Sequence, residues 1–316
     1  MLGRSNNVLI WILRFLRFFD IFPYRWQWIE KSNLGPSSFV SENRICNSIE
    51  FKKINMIVFF SGIKFFGLIS FGIFNLYCNL IIFLTKNETY TKSFFIIDLV
   101  MKFCYFSMTY YAFSKFSKLK KIFMDVFILY NLNPKMTIIS KENYFHFSLF
   151  IFCFILLVVT QISTLIIVSF DGIIFLTRMF YYWISTFNFF IVLTFFVICC
   201  FYSSVIGIFY LHLGKNYFLK EISNKIQCKS FLKILISKFR KMNKVQEMLN
   251  DYFGDIITRV LIFHIFYLIL IPMSFSSSND ISNNTNLLFL MSFIWSFCVV
   301  YITCISPNII TKKVST

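Results

Sequence analysis

The chain has 316 residues, of which 58% are hydrophobic, 21% aromatic and 14% charged, with 31 Lys and Arg against 14 Asp and Glu and a net charge of +17. At a mean hydropathy of +0.71 it lies far outside the range of soluble domains, so a water-soluble globule is excluded and lipid has to cover the apolar surface. The positive charge falls in blocks between apolar runs, which is the pattern of membrane topology and not of nucleic-acid binding.

The first element is expected over residues 8–22. It is too short and too charged to span a bilayer. Arg14 and Arg17 lie three apart on one face and can reach the headgroups while Trp11, Phe15 and Phe18 sink, and Pro23 stops the helix. The apolar run 8–13 is interrupted by Arg14, and no small-residue cleavage site follows, so no secretory leader is expected.

A spanning helix needs about 20 largely apolar residues. Six stretches qualify, at 56–84, 94–113, 145–170, 179–212, 256–275 and 286–305. The expected fold class is therefore all-α, a polytopic helical membrane protein. It divides into an N-terminal segment 1–55, spans one to four over 56–212, a basic helical link 213–255, spans five and six over 256–305, and a tail 306–316. The fourth run is too long for one crossing: about 34 residues reach roughly 50 Å, against a hydrocarbon core of about 30 Å. A helical extension beyond the membrane is expected there. The link that follows also has helical periodicity, with Phe231, Ile234, Leu235 and Lys238 on neighbouring turns.

Lys and Arg set the orientation, because positive residues near span ends stay cytoplasmic. The N-terminal segment holds eight, the link between spans two and three six, the link between spans four and five nine (Lys215 to Lys244), and the tail Lys312 and Lys313. That places twenty-five on one side, against Lys86, Lys92 and Arg178 on the other. The N-terminus is expected in the cytoplasm. Two glycosylation sequons agree, at Asn87 and Asn283, since both fall in links that the charge pattern places outside.

A short amphipathic helix closing on Phe22-Pro23-Tyr24 resembles the start of insect gustatory receptors, although the glycine common there is replaced in Asp20-Ile21. LNDYFGDII is similar to the same family's Asn-x-x-Phe-Gly lead into the fifth span, carried here by Asn250, Phe253 and Gly254. The basic helical link and the cytoplasmic N-terminus also fit. The resemblance implies a multi-pass receptor in the plasma membrane of sensory neurons, a ligand-gated cation channel subunit that detects small-molecule tastants. It would assemble as a homo- or hetero-tetramer in contact with membrane lipid, without cofactor or nucleic acid. The family's seventh, pore-lining span is not in this sequence, whose end resembles the linker leading into it, so a fragment unable to conduct by itself is expected. Alternatives are an insect odorant receptor, a non-functional truncated receptor, a secondary transporter, or a G-protein-coupled chemoreceptor. The last needs the N-terminus outside, against the charge pattern. The transporter predicts paired broken spans, and only Pro272 interrupts one.

Charges inside spans are costly and mark functional candidates. Asp98 and Lys102 lie four apart on the second span and can pair on one face, as a structural ion pair or as ligand contacts. Asp255 and Arg259 have the same spacing where the fifth span begins, a position suited to anchoring, while Lys64 lies deep in the first span with its partner undetermined. The cluster Phe180, Tyr181, Tyr182, Trp183 reads as an interfacial aromatic belt. It also reads as a pocket wall, and the resemblance implies a ligand pocket to which Asp98, Lys102, Tyr105, Tyr182 and Trp183 contribute. Enzyme chemistry finds no foothold: His146, His212 and His264 lack metal-helix spacing, and the nine cysteines form no CxxC pair. No metal site is expected.

Overall fold

The computed structural model describes residues 4–18, 22, 24–31, 46–53, 55–85, 89–131, 141–167, 172–220, 225–276 and 283–315. These are almost entirely helical. Five helices are long and apolar enough to cross a membrane, over Val58–Thr85, Asn143–Ser163, Met179–Gly207, Met242–Pro272 and Leu290–Ile310. The chain is a membrane protein. Pro23 and Asn87 lie outside the described residues, and Asn283 is the first residue of its helix.

The first helix, α1, is described over Arg4–Phe18. Its face of Ile12, Leu13 and Leu16 is buried, and it runs antiparallel to a later helix, α6 (Gly172–Lys220), against which Phe15 stacks on Phe190 at 4.1 Å. Two strands follow, β1 (Tyr24–Lys31) and β2 (Cys46–Lys53), in an antiparallel ribbon whose register sets Trp26 opposite Phe51 and Trp28 opposite Ile49. The ribbon is the departure from an all-helical reading. Its signal is the alternation Tyr24, Trp26, Trp28 with Arg25, Gln27, a period of two.

The pair α2 (Asn55–Thr85) and α3 (Thr89–Ser114) occupies the first two expected crossings. At 26 residues α3 is long enough to span, and it carries Asp98 and Lys102 within its length. The two helices touch closely at Gly72, where an added Cβ would sit 2.4 Å from the tip of the Phe106 ring. Next, α4 (Phe116–Asn131) receives Phe22, whose fully buried ring meets Phe123 edge-on at 5.5 Å, and Tyr24, 5.6 Å from Phe116. Thus the C-terminal end of α1 is tied twice, to α6 through Phe15 and to α4 through Phe22 and Tyr24, which follow it.

The centre is α6, packed by α5 (Lys141–Ile167), α7 (Lys225–Ser276) and α8 (Asn283–Ser315). The apolar stretch of α6 is 83% buried within the protein, against 18% for that of α2. A helix apolar all round belongs in the middle of a bundle, whereas α2 leaves its surface to lipid. At 49 and 52 residues, α6 and α7 extend about 74 and 78 Å, far beyond the bilayer, as expected from the over-long fourth run and its helical link. Tyr202 of α6 ties the two together by donating to the Met242 carbonyl at 2.8 Å. Tyr202→Phe, which keeps the ring, is expected to lower stability by about 1 kcal/mol in denaturant unfolding of the detergent-solubilised chain. An unchanged midpoint would show that the bond adds nothing at this joint.

Candidate functional site

Asn75 and Asn79 lie one turn apart on α2, opposite Asp98 and Lys102, one turn apart on α3. An ammonium or a carboxylate in an apolar interior is tolerated only when it is paired and hydrogen-bonded. Here Lys102 Nζ donates to Asp98 Oδ2 and to Asn75 Oδ1, each at 2.5 Å. Asn79 Nδ2 donates to the same Asp98 oxygen at 2.8 Å and reaches Asn75 Oδ1 at 3.4 Å. All four side chains are buried, and the Phe180 ring covers Lys102 at 5.7 Å from its centroid. Asp98 Oδ1 has no protein partner among the described residues.

One turn along α3, the Tyr105 hydroxyl accepts a 2.6 Å hydrogen bond from Trp183 Nε1, and its ring meets Phe180 and Phe187 edge-on. Four of the five expected pocket residues therefore come together: Asp98, Lys102, Tyr105 and Trp183 form one continuous patch around Phe180. Tyr182 does not join them. One residue is about 100° of helix rotation, which carries its side chain to the α1–α5 side of α6, where it lines a separate cleft. Lys64, whose partner the sequence leaves open, donates to the Phe18 carbonyl at the end of α1 at 3.0 Å. Its ammonium also faces the Trp183 ring at 5.1 Å. Arg259 reaches across to Ser107 of α3 at 2.8 Å and to the Asp255 backbone carbonyl at 2.9 Å. Spacing alone reveals neither the Ser107 contact nor the use of the Asp255 backbone.

A second polar seam, not anticipated as a site, runs between α6, α7 and α8. His264, Trp295 and Ser296 meet there, and Asn188 of α6 and Ser292 of α8 are also buried. His264 Nδ1 and Ser296 Oγ are 3.0 Å apart. The opposite nitrogen of His264, both amide atoms of Asn188 and Trp295 Nε1 have no protein partner among the described residues, whereas Ser292 lies within hydrogen-bonding reach of Tyr181. Aromatic rings enclose the seam: Trp295 stacks on Phe150 at 5.2 Å, lies 5.5 Å from Phe154 and meets His264 edge-on at 6.5 Å. The available signal was polar residues recurring every three or four positions in apolar spans, Ser185 with Asn188 and Ser292 with Ser296, whereas His264 draws notice only as a zinc ligand it is not spaced to be.

Phe253 is buried and packs 5.5 Å from Phe195, Asn250 is exposed, and Gly254 has open space where a Cβ would project. Among the described residues no three His, Cys, Asp or Glu side chains converge to hold a metal ion. Comparison with known proteins finds no matching family and no curated protein of similar sequence.

Proposed function

We propose that the chain is a receptor subunit of the insect gustatory type, in the plasma membrane of sensory neurons. It binds a small tastant within the bundle and opens a cation pore formed with other subunits. In this reading the N-terminus is cytoplasmic, α3 completes six spans, and the polar patch and seam lie in the outer half. The supporting observation is the set of buried polar atoms with no protein partner among the described residues: Asp98 Oδ1, the Asn188 amide, Trp295 Nε1 and the second nitrogen of His264. Such groups are costly unless hydrogen-bonded, so a ligand that bonds to them in one helix arrangement better than in another shifts the population toward that arrangement. Aromatic walls with few polar groups suit recognition of a small organic molecule.

Binding, separate from conduction, tests the reading. The purified chain is melted in the presence of a panel of sugars, amino acids and alkaloids. At least one compound is expected to raise the melting temperature in a concentration-dependent way. Asn188→Leu is expected to abolish that shift without preventing folding. If no compound shifts the melt, or if Asn188→Leu leaves every shift intact, the receptor reading of this bundle is wrong.

A further inference from the structure

The cleft that Tyr182 lines has no place in the ligand reading above. It lies between α1, α5 and α6, with a volume of about 320 Å³, and its lining includes Phe15 and Phe18 of α1, Phe154 of α5 and Phe190 of α6. We propose that this cleft binds a sterol, with the sterol hydroxyl against Tyr182 and the ring system against the phenylalanine walls. The proposal rests only on the chain being a membrane protein, and it stands whether or not the bundle binds a tastant.

Three observations carry it. First, the cleft opens toward the bilayer. Ile155 and Val159 at its edge are 52% and 55% exposed within apolar stretches of spanning length, so hydrocarbon and not water has to cover them. Second, its walls are already fixed. Phe15 stacks on Phe190 at 4.1 Å and Phe154 on Phe189 at 3.9 Å, so the slot does not depend on its occupant to form. A preformed slot favours a rigid ring system over an acyl chain, because the chain loses rotamer freedom on entering and the rings have almost none to lose. Third, the free polarity of the lining is confined to one hydroxyl. Thr186 spends its hydroxyl on the Tyr182 carbonyl at 2.8 Å, which leaves the Tyr182 phenol as the one lining hydroxyl without a partner among the described residues. A rigid apolar body with a single hydroxyl has the form of a sterol.

The test is photolabelling of the full chain in lipid nanodiscs with a diazirine-bearing cholesterol probe, followed by peptide mapping. The label is expected on α5 and α6 peptides around Val158 and Thr186, and excess cholesterol is expected to compete it away. Tyr182→Phe keeps the ring and is expected to weaken competition by about threefold to tenfold, the net worth of one hydrogen bond. Val158→Trp fills the slot and is expected to remove the label. Should that variant fail to fold, epicholesterol, whose hydroxyl is inverted, makes the comparison on the unaltered protein and is expected to compete poorly. Label spread evenly over lipid-facing helices such as α2 would overturn the proposal. So would competition by phosphatidylcholine equal to that by cholesterol, which would make the occupant an acyl chain.

Discussion

Lys102→Met is expected to destabilise the bundle by about 3–5 kcal/mol, the loss seen when one partner of a buried ion pair is removed. The substitution keeps most of the side-chain volume, so packing is not what fails. What remains is the Asp98 carboxylate, 2% exposed, with one oxygen already unpartnered and the other reduced to the single bond from Asn79. Its positive neighbour is gone, and α2 and α3 lose the hydrogen bond between Lys102 and Asn75 that joins them. The double variant Asp98→Leu, Lys102→Met is expected to recover much of the loss, because an apolar pair carries no desolvation penalty in lipid. The pair Lys118–Asp251 serves as the control. It is 3.5 Å long and 44% and 67% exposed, and breaking it is expected to change stability by less than about 1 kcal/mol. Chemical denaturation of the detergent-solubilised chain, followed by circular dichroism, measures all four proteins. Equal losses for Lys102→Met and the double variant would show that the helices are held by packing alone and that the buried charges add no specificity.

The Asp98–Lys102 pair was legible in the sequence because both partners lie on one helix, at the spacing of one turn. Its completion by Asn75 and Asn79 was not, although those residues have the same spacing, because nothing in the order of residues says which face of α2 meets α3. The same limit separates Tyr182 from Trp183. They are adjacent in the chain and share an aromatic cluster, but helix rotation sends one toward α1 and α5 and the other toward Tyr105. The lengths of α6 and α7 could be read, since an apolar run too long for a bilayer has to continue as helix outside it. The docking of α1 could not. A helix that turns Ile12, Leu13 and Leu16 toward a neighbour shows the same amphipathic pattern as one that turns them toward lipid. The ribbon was missed for a different reason. Its alternation covers only a few residues in a segment whose greasiness elsewhere is helical, and β2, its pairing partner, lies beyond residues 32–45.

Trp295→Ala is expected to cost about 3 kcal/mol, near the lower end for removing a large buried aromatic side chain. In water part of that loss is transfer of apolar surface, but within a bilayer the separated helices meet hydrocarbon, so the cavity and the lost dispersion contacts supply most of it. Trp295 is 1% exposed and touches Phe150, Phe154, Phe189 and His264, on every helix from α5 to α7, so no single neighbour can move to fill the space. Trp295→Phe separates packing from polarity. It keeps an aromatic ring and removes an indole N–H that has no protein partner among the described residues, so in the absence of ligand it is expected to leave stability within about 1 kcal/mol of the parent, or to raise it. Under the receptor reading the same change removes a hydrogen-bond donor from the ligand's reach, and ligand-induced stabilisation is expected to fall at least about tenfold in apparent affinity. Thermal melting of both variants with and without the stabilising compound measures each effect. A Trp295→Phe protein that melts far below the parent would mean that the N–H is satisfied in the native state, by water if not by protein, and the seam would then be a hydrated structural element. A Trp295→Phe protein of parental stability that responds to ligand like the parent would remove this residue from the binding site while leaving its role in packing intact.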